Sequence, residues 1–70
     1  RYFLPATIER LAAVAGELAR EHDDGRFTAA EFRDRSGIGR NAVIEVLEHF
    51  DRLGLTRREG DRRLVLKRLA

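Results

Sequence analysis

A mainly helical α+β fold is predicted for this chain by three features of the stretch from Phe27 to Arg63. Two short amphipathic helices flank a Ser36-Gly37 break, two strand-like runs follow, and the two-residue loop Gly60-Asp61 separates those runs. A helix-turn-helix succeeded by a β-hairpin is the layout of a winged helix. With a further helix ahead of it, the element order becomes α-β-α-α-β-β. Modules of this shape usually hold nucleic acid, through the second helix of the pair.

The first helix should open at Pro5, whose missing N–H costs nothing where the first helical N–H groups lack an acceptor anyway. From there to about His22, Ile8, Leu11, Ala12, Ala15, Leu18 and Ala19 recur at helical spacing, while Glu9, Arg10, Glu17, Arg20 and Glu21 fill the outer face. Asp23-Asp24-Gly25 ends it, and Arg26-Phe27-Thr28 forms the short extended piece that edges a small sheet. Ahead of the helix, Tyr2 and Phe3 are placed to pack on it or on a preceding domain.

The second helix carries a complete start signal. Thr28 as N-cap and Glu31 three residues later can each satisfy a backbone N–H of the other, the reciprocal arrangement of a capping box. Phe27 before the cap and Phe32 at the fourth helical position form the matching hydrophobic staple. Ser36-Gly37 stops the helix, because glycine tolerates the left-handed conformation of a C-terminal cap.

The third helix should begin near Gly39 or Arg40 and reach about Leu53, with Gly54 as its terminating glycine. Val43, Leu47, Phe50 and the neighbouring Ile44, Val46 and Leu53 are expected on one apolar face. Glu45, Glu48, Asp51 and Arg52 take the remaining arc. The reading end of such a helix is its N-terminus, here Arg40 and Asn41 beside the unsatisfied N–H groups of the first turn.

Leu55 to Glu59 and Arg62 to Arg68 are the two expected strands, joined through Gly60-Asp61, a loop length that suits a tight hairpin. Leu64 and Leu66 share one face and Val65 the other, which predicts partial burial on both. Arg57, Arg58, Arg62 and Arg63 gather around the tip of the wing. They suit phosphate contact, although charge on an edge strand also simply discourages aggregation.

Seventy residues make one domain near the lower size for a lone hydrophobic core. Without cysteine there is no disulfide framework or thiolate metal site. No apolar run approaches the roughly 20 residues of a membrane span, and no secretory signal is visible. The opening on Arg1 predicts a fragment of a longer, multidomain, cytoplasmic protein, and a monomer is the default. Net charge is only +2, but residues 1–25 carry three arginines against five acids and residues 55–70 carry six basic groups against two. A basic end on a nearly neutral domain suggests an electrostatic footprint on one face. Arginine supplies 13 of the 14 basic side chains, which favours bidentate contact with phosphate or guanine and fits a GC-rich genome equally well.

Catalysis finds no support. His22, His49 and the lone Ser36 form no nucleophile–base arrangement, and there is neither a glycine-rich phosphate loop nor metal-ligand spacing. No cofactor or metal is expected, and this piece is not expected to be an enzyme. The histidines read as solvated or packing residues, and Asp34, Asp51 and Arg52 as intramolecular partners. Arg33 and Arg35 end the second helix close to the reading surface, where nucleic-acid contact and compensation of the helix dipole are equally good explanations.

The run Phe32-Arg33-Asp34, Ser36-Gly37-Ile38, Arg40, Leu47-Glu48, Phe50-Asp51-Arg52-Leu53-Gly54, Thr56-Arg57-Arg58 and Gly60-Asp61 resembles the last winged-helix domain of the bacterial selenocysteine-specific elongation factors, the SelB family. The likeness extends over about Phe27 to Leu66. It implies binding of the SECIS hairpin that lies beside an in-frame UGA in selenoprotein mRNA. It also implies a parent protein that engages GTP, selenocysteyl-tRNA and the ribosome through other domains, an EF-Tu-like GTPase among them. The resemblance places Arg40 at the family's basic position opening the reading helix. Arg33, Arg35, Arg57 and Arg58 fall in its basic blocks and Gly60-Asp61 in its wing turn. Three positions depart: Asn41 replaces a common Lys, Gly39 a common Ser cap, and Glu45 a common Pro.

The expected RNA-binding set is therefore Arg33, Arg35, Arg40, Asn41, Arg57, Arg58, Arg62 and Arg63. An A-form stem offers a helix no readable major groove, so this set would grip phosphates and 2′-hydroxyls, with specificity from hairpin shape and extruded bases. Two other readings share the fold. One is a DNA-binding winged helix of a transcription regulator. The other is a protein-docking winged helix using Tyr2-Phe3-Leu4.

Overall fold

Three helices and a three-stranded antiparallel sheet appear in the order α1 (Pro5–Glu21), β1 (Arg26–Thr28), α2 (Ala29–Ser36), α3 (Arg40–Arg52), β2 (Thr56–Glu59) and β3 (Arg62–Val65). The structure is a computed structural model and describes residues 5–66. The apolar Tyr2-Phe3-Leu4 edge and the end of the last expected strand, through Arg68, lie outside the described residues.

The α2 start is built as its sequence implies. The Thr28 N–H donates to Glu31 Oε1 at 2.8 Å, and the Glu31 N–H donates back to Thr28 Oγ1 at 3.1 Å. Phe27 and Phe32 stack with centroids 6.0 Å apart, and Phe50 of α3 meets Phe32 edge-on at 6.4 Å. The staple of one helix is thereby the centre of the core, and all three rings are fully buried. Around it close Leu11, Ala15 and Leu18 of α1 and Val46 and Leu47 of α3. At the other end of α2, Gly37 takes φ 76° and its N–H caps Arg33 O at 2.9 Å, a conformation that a Cβ disfavours.

β3 is the central strand of the sheet, between β1 and β2. Its register sets Arg63 opposite Phe27 on one side and Arg58 on the other. The wing turns on Gly60 at φ 66°, with no positive φ at Asp61, so the glycine at the first central position is what the tight loop requires.

Of two expectations about burial, one is corrected and the other met except at Leu66. On α3 the covered stripe is Val43, Val46, Leu47 and Phe50, whereas Ile44 is 46% and Leu53 51% exposed. Ile44 stands about 100° around the helix from Val43, on the edge of the stripe, and Leu53 lies past the last packed turn. In the wing, Leu64 and Val65 are half-buried on opposite faces, as expected, whereas Leu66 is exposed, and the buried side chains beside α3 are Thr56 and Arg63. The alternation of β3 also sends Arg63 beneath the sheet, on the same face as Val65.

Candidate nucleic-acid interface

The N-terminus of α3 is left open. Gly39 is the N-cap with extended backbone and offers no side-chain hydrogen bond, and no acidic residue stands in the first turn. Its carbonyl accepts from Val43 N–H at 2.9 Å, closing the first helical bond, while the N–H groups ahead of Val43 have no acceptor within the helix. Arg40 and Asn41 are exposed here, and neither side chain is paired with an acid among the described residues. A cationic, donor-rich end of this kind suits an anion.

Two hollows meet at Ile44. One, between α2 and the start of α3, is lined by Ala29, Ala30, Arg33, Arg40 and Val43. The other, between α3 and the wing, is bounded by Glu48, Arg58, Gly60 and Asp61. Ala29 and Ile44 border both, so the two hollows adjoin along one groove-like side of α3. Arg33, Arg40 and Arg58 stand along it. Arg33 reaches Asp34 only at 3.6 Å, and Arg58 donates to the Gly60 carbonyl at 3.1 Å. These guanidiniums keep most of their donors for a ligand, and Ile44 adds an apolar surface between them.

Of the remaining arginines of the expected set, Arg63 borders the wing hollow from beneath, and Arg35, Arg57 and Arg62 are elsewhere. Arg57 and Arg62 lie on the far side of the sheet, where strand alternation separates them from Arg58 and Arg63. Arg57 bonds Glu59 at 2.9 Å, Glu59 also accepts from Arg26 Nε at 2.7 Å, and Arg62 comes within 3.7 Å of Asp24. Arg26 forces the Glu59 carboxyl below its ordinary 4.5, with Arg57 adding to the effect. Arg35 turns toward α1, donating to Glu21 at 2.7 Å with Glu17 at 3.8 Å. That hydrogen bond lowers the Glu21 carboxyl from its usual 4.5 and raises the Arg35 guanidinium.

Arg63, expected with its neighbours on the outer wing, points inward and is 8% exposed. Its Nη2 donates to Asp51 Oδ2 at 3.2 Å and its Nε lies 3.3 Å from both carboxylate oxygens. A buried charge must be paired to be tolerated, and Asp51 supplies the partner. His22 is likewise an intramolecular donor, 2.9 Å from Glu31 Oε2, and His49 lies beside the Phe50 ring. Among the described residues no group of His, Cys, Asp or Glu side chains could hold a metal, and no helix is long and apolar enough to cross a membrane.

The family described as "Elongation factor SelB, winged helix" matches residues 17–65. The chain belongs to that family. It is 43% identical over 65 residues to the selenocysteine-specific elongation factor of Escherichia coli (strain K12), covering 93% of this chain and 10% of that protein. The Haemophilus influenzae (strain Rd) factor of the same name is 34% identical over 61 residues, covering 87% and 10%. The chain thus spans about a tenth of the length of the curated relatives it matches. Among solved structures, the mRNA-binding domain of elongation factor SelB from E. coli in complex with SECIS RNA superposes with a TM-score of 0.84 at 43% identity, covering 93% of this chain and 52% of that one.

For a SelB winged helix, the departures noted in the sequence now have a setting. Gly39 in place of Ser leaves the α3 N–H groups uncovered, and Asn41 keeps a donor there without a charge. Sequence reasoning missed Ile44 as a groove residue. The signal was its angular offset from Val43 and Leu47, which a 3–4 spacing rule blurs.

Proposed function

We propose that this chain is the RNA-binding module of a selenocysteine-specific elongation factor and grips the SECIS hairpin of a selenoprotein mRNA, tethering the factor beside the UGA it recodes. The observation that carries this reading is the likeness, over 93% of the chain, to a domain solved with SECIS RNA. The open, cationic end of α3 beside hollows lined by Arg33, Arg40, Arg58 and Arg63 supports it independently. GTP, selenocysteyl-tRNA and the ribosome would be engaged by other parts of the parent protein, in the cytoplasm. The module itself binds rather than catalyses, and acts as a monomer.

In this reading Arg40, Asn41, Arg33 and Arg58 contact the RNA along the groove. Phosphates and 2′-hydroxyls meet the guanidiniums, and an unstacked loop or bulge nucleotide meets the α3 tip. Arg57 and Arg62, on the opposite face of the wing, contribute a weaker field already shared with Glu59 and Asp24. Arg35 and Arg63 serve the fold.

An anisotropy titration against a hairpin from beside an in-frame UGA, with a scrambled-loop hairpin and a DNA duplex at equal salt, tests the reading. The native hairpin should bind tightest, with affinity falling as salt rises. Arg40→Ala should weaken it and flatten the slope of log K against log salt by roughly 0.7–0.9, the share of one phosphate contact. Preference for the duplex would favour a transcription regulator instead.

A further inference from the structure

Asp51 lies on the same side of α3 as Arg40 and Ile44. Asp51 lies eleven positions after Arg40, three helical turns or about 16 Å along the axis, so this face has a reading end and an anchoring end. At the anchoring end the Asp51 carboxylate holds both strands of the wing. Thr56 Oγ1, at the start of β2, donates to Oδ1 at 2.5 Å, and Arg63, in the middle of β3, donates to both oxygens. Thr56 is 4% exposed and Arg63 8%. Leu55 and Val65 pack against the core at the base of the wing, but toward its tip Arg57, Arg58, Gly60, Asp61 and Arg62 are all exposed, so among the described residues no apolar contact there fixes the tip against α3. Arg58 is the direct cross-strand partner of Arg63 and stands on the same sheet face, toward the groove.

We propose that Asp51, Arg63 and Thr56 are positioning residues for RNA binding, setting the wing against the reading helix so that Arg58 and Arg40 face one groove at a fixed separation. The proposal rests on the RNA-binding reading above and adds residues that need not touch the RNA. The geometry makes a distinctive demand: the carboxylate must sit at one distance from α3, so its reach matters as well as its charge. Asp51→Glu keeps the ion pair and the charge count but lengthens the arm by one methylene. The charge-free double variant Asp51→Leu/Arg63→Met removes the anchor without leaving a buried charge alone.

The test is hairpin titration of the chain and these variants, each with and without Arg58→Ala, alongside thermal melts and salt series. Asp51→Glu should fold with a Tm close to the parent yet bind the hairpin about tenfold more weakly. In both Asp51 backgrounds Arg58→Ala should then cost less than twofold, although it costs several-fold in the parent, because Arg58 has already left its contact. The salt slope should fall in the Asp51 variants by the amount that Arg58→Ala alone produces. Parent-like binding by folded Asp51→Glu would overturn the proposal, leaving the cluster a purely structural tie. Full additivity of Arg58→Ala with the double variant would also overturn it. A further drop in salt slope on top of the Arg58→Ala effect would do the same, by placing Arg63 on the RNA. If the parent chain shows no salt-dependent hairpin binding, the RNA-binding reading itself fails, a result distinguishable from all of these.

Discussion

The two helices of the helix-turn-helix begin in opposite ways. At α2 the N-terminus is closed: Thr28 and Glu31 cap each other's backbone, His22 adds a hydrogen bond to Glu31, and the Phe27–Phe32 stack seals the turn. At α3 it is open: a glycine caps without a side chain, no acid stands in the first turn, and Arg40 and Asn41 face solvent. A helix start carries partial positive charge and unsatisfied donors in either case. The fold neutralises one from within and leaves the other to an anion from outside. In the proposed reading, structural and binding roles are thus divided between adjacent helix ends, and each should be alterable without the other.

The largest effect should come from reversing the open end. Arg40→Glu is expected to weaken hairpin binding by more than tenfold. The same change puts an acid where the helix dipole favours one, so stability should rise by about 0.3–1 kcal/mol. Titration and thermal melting of one sample would show these opposite signs, and a parallel loss of both would break the division. Next, Thr28→Ala removes the cap of the closed end and should cost about 1 kcal/mol, or roughly 4–8 °C in Tm for a domain of this size. Hairpin affinity of the folded protein should be unchanged.

A smaller effect would come from making the open end resemble the closed one. Gly39 has φ −70° and space around a Cβ, so Gly39→Ser is sterically free. A serine cap should stabilise the chain by a few tenths of a kcal/mol, and its hydroxyl should compete for the N–H groups offered to RNA. About twofold weaker binding is expected in the same titration.

The smallest concerns pH. The backbone hydrogen bond from Thr28 lowers the Glu31 carboxyl from its ordinary 4.5, with His22 contributing. A carboxyl depressed in the folded state stabilises that state above its unfolded value, and the gain is lost as pH falls through the folded one. The contribution is therefore present above about 4.5 and fades below it. Glu31→Gln retains the capping hydrogen bond and should flatten this part of the acid limb in a series of melts between pH 5 and roughly pH 2.

Much of the fold was legible because its signals are local. The Thr28–Glu31 box spans three residues, Gly37 acts on the last turn before it, and Gly60 on the loop it occupies. Val43, Val46, Leu47 and Phe50 announce a buried stripe by spacing, although the same rule also took in Ile44 and Leu53, which are exposed. The interface was legible only in part. Eight residues were expected to contact RNA; the structure brings Arg33, Arg40, Asn41 and Arg58 around the N-terminal end of α3 and its groove, ties Arg63 at the groove's floor to Asp51, and gives Arg35, Arg57 and Arg62 other neighbours.

What the amino-acid order determined by itself was where each helix starts and stops, which rings form the centre, and that the chain carries more arginine than its core can use. Tertiary structure decided which arginines stay available. Arg35 meets Glu21 across 14 positions, Arg26 meets Glu59 across 33, and Arg63 meets Asp51 across 12. Caps and turns act within the reach of a single side chain along its own segment. Charge pairing depends on which elements the closing core brings side by side, and on which face of a strand the alternation leaves each cation.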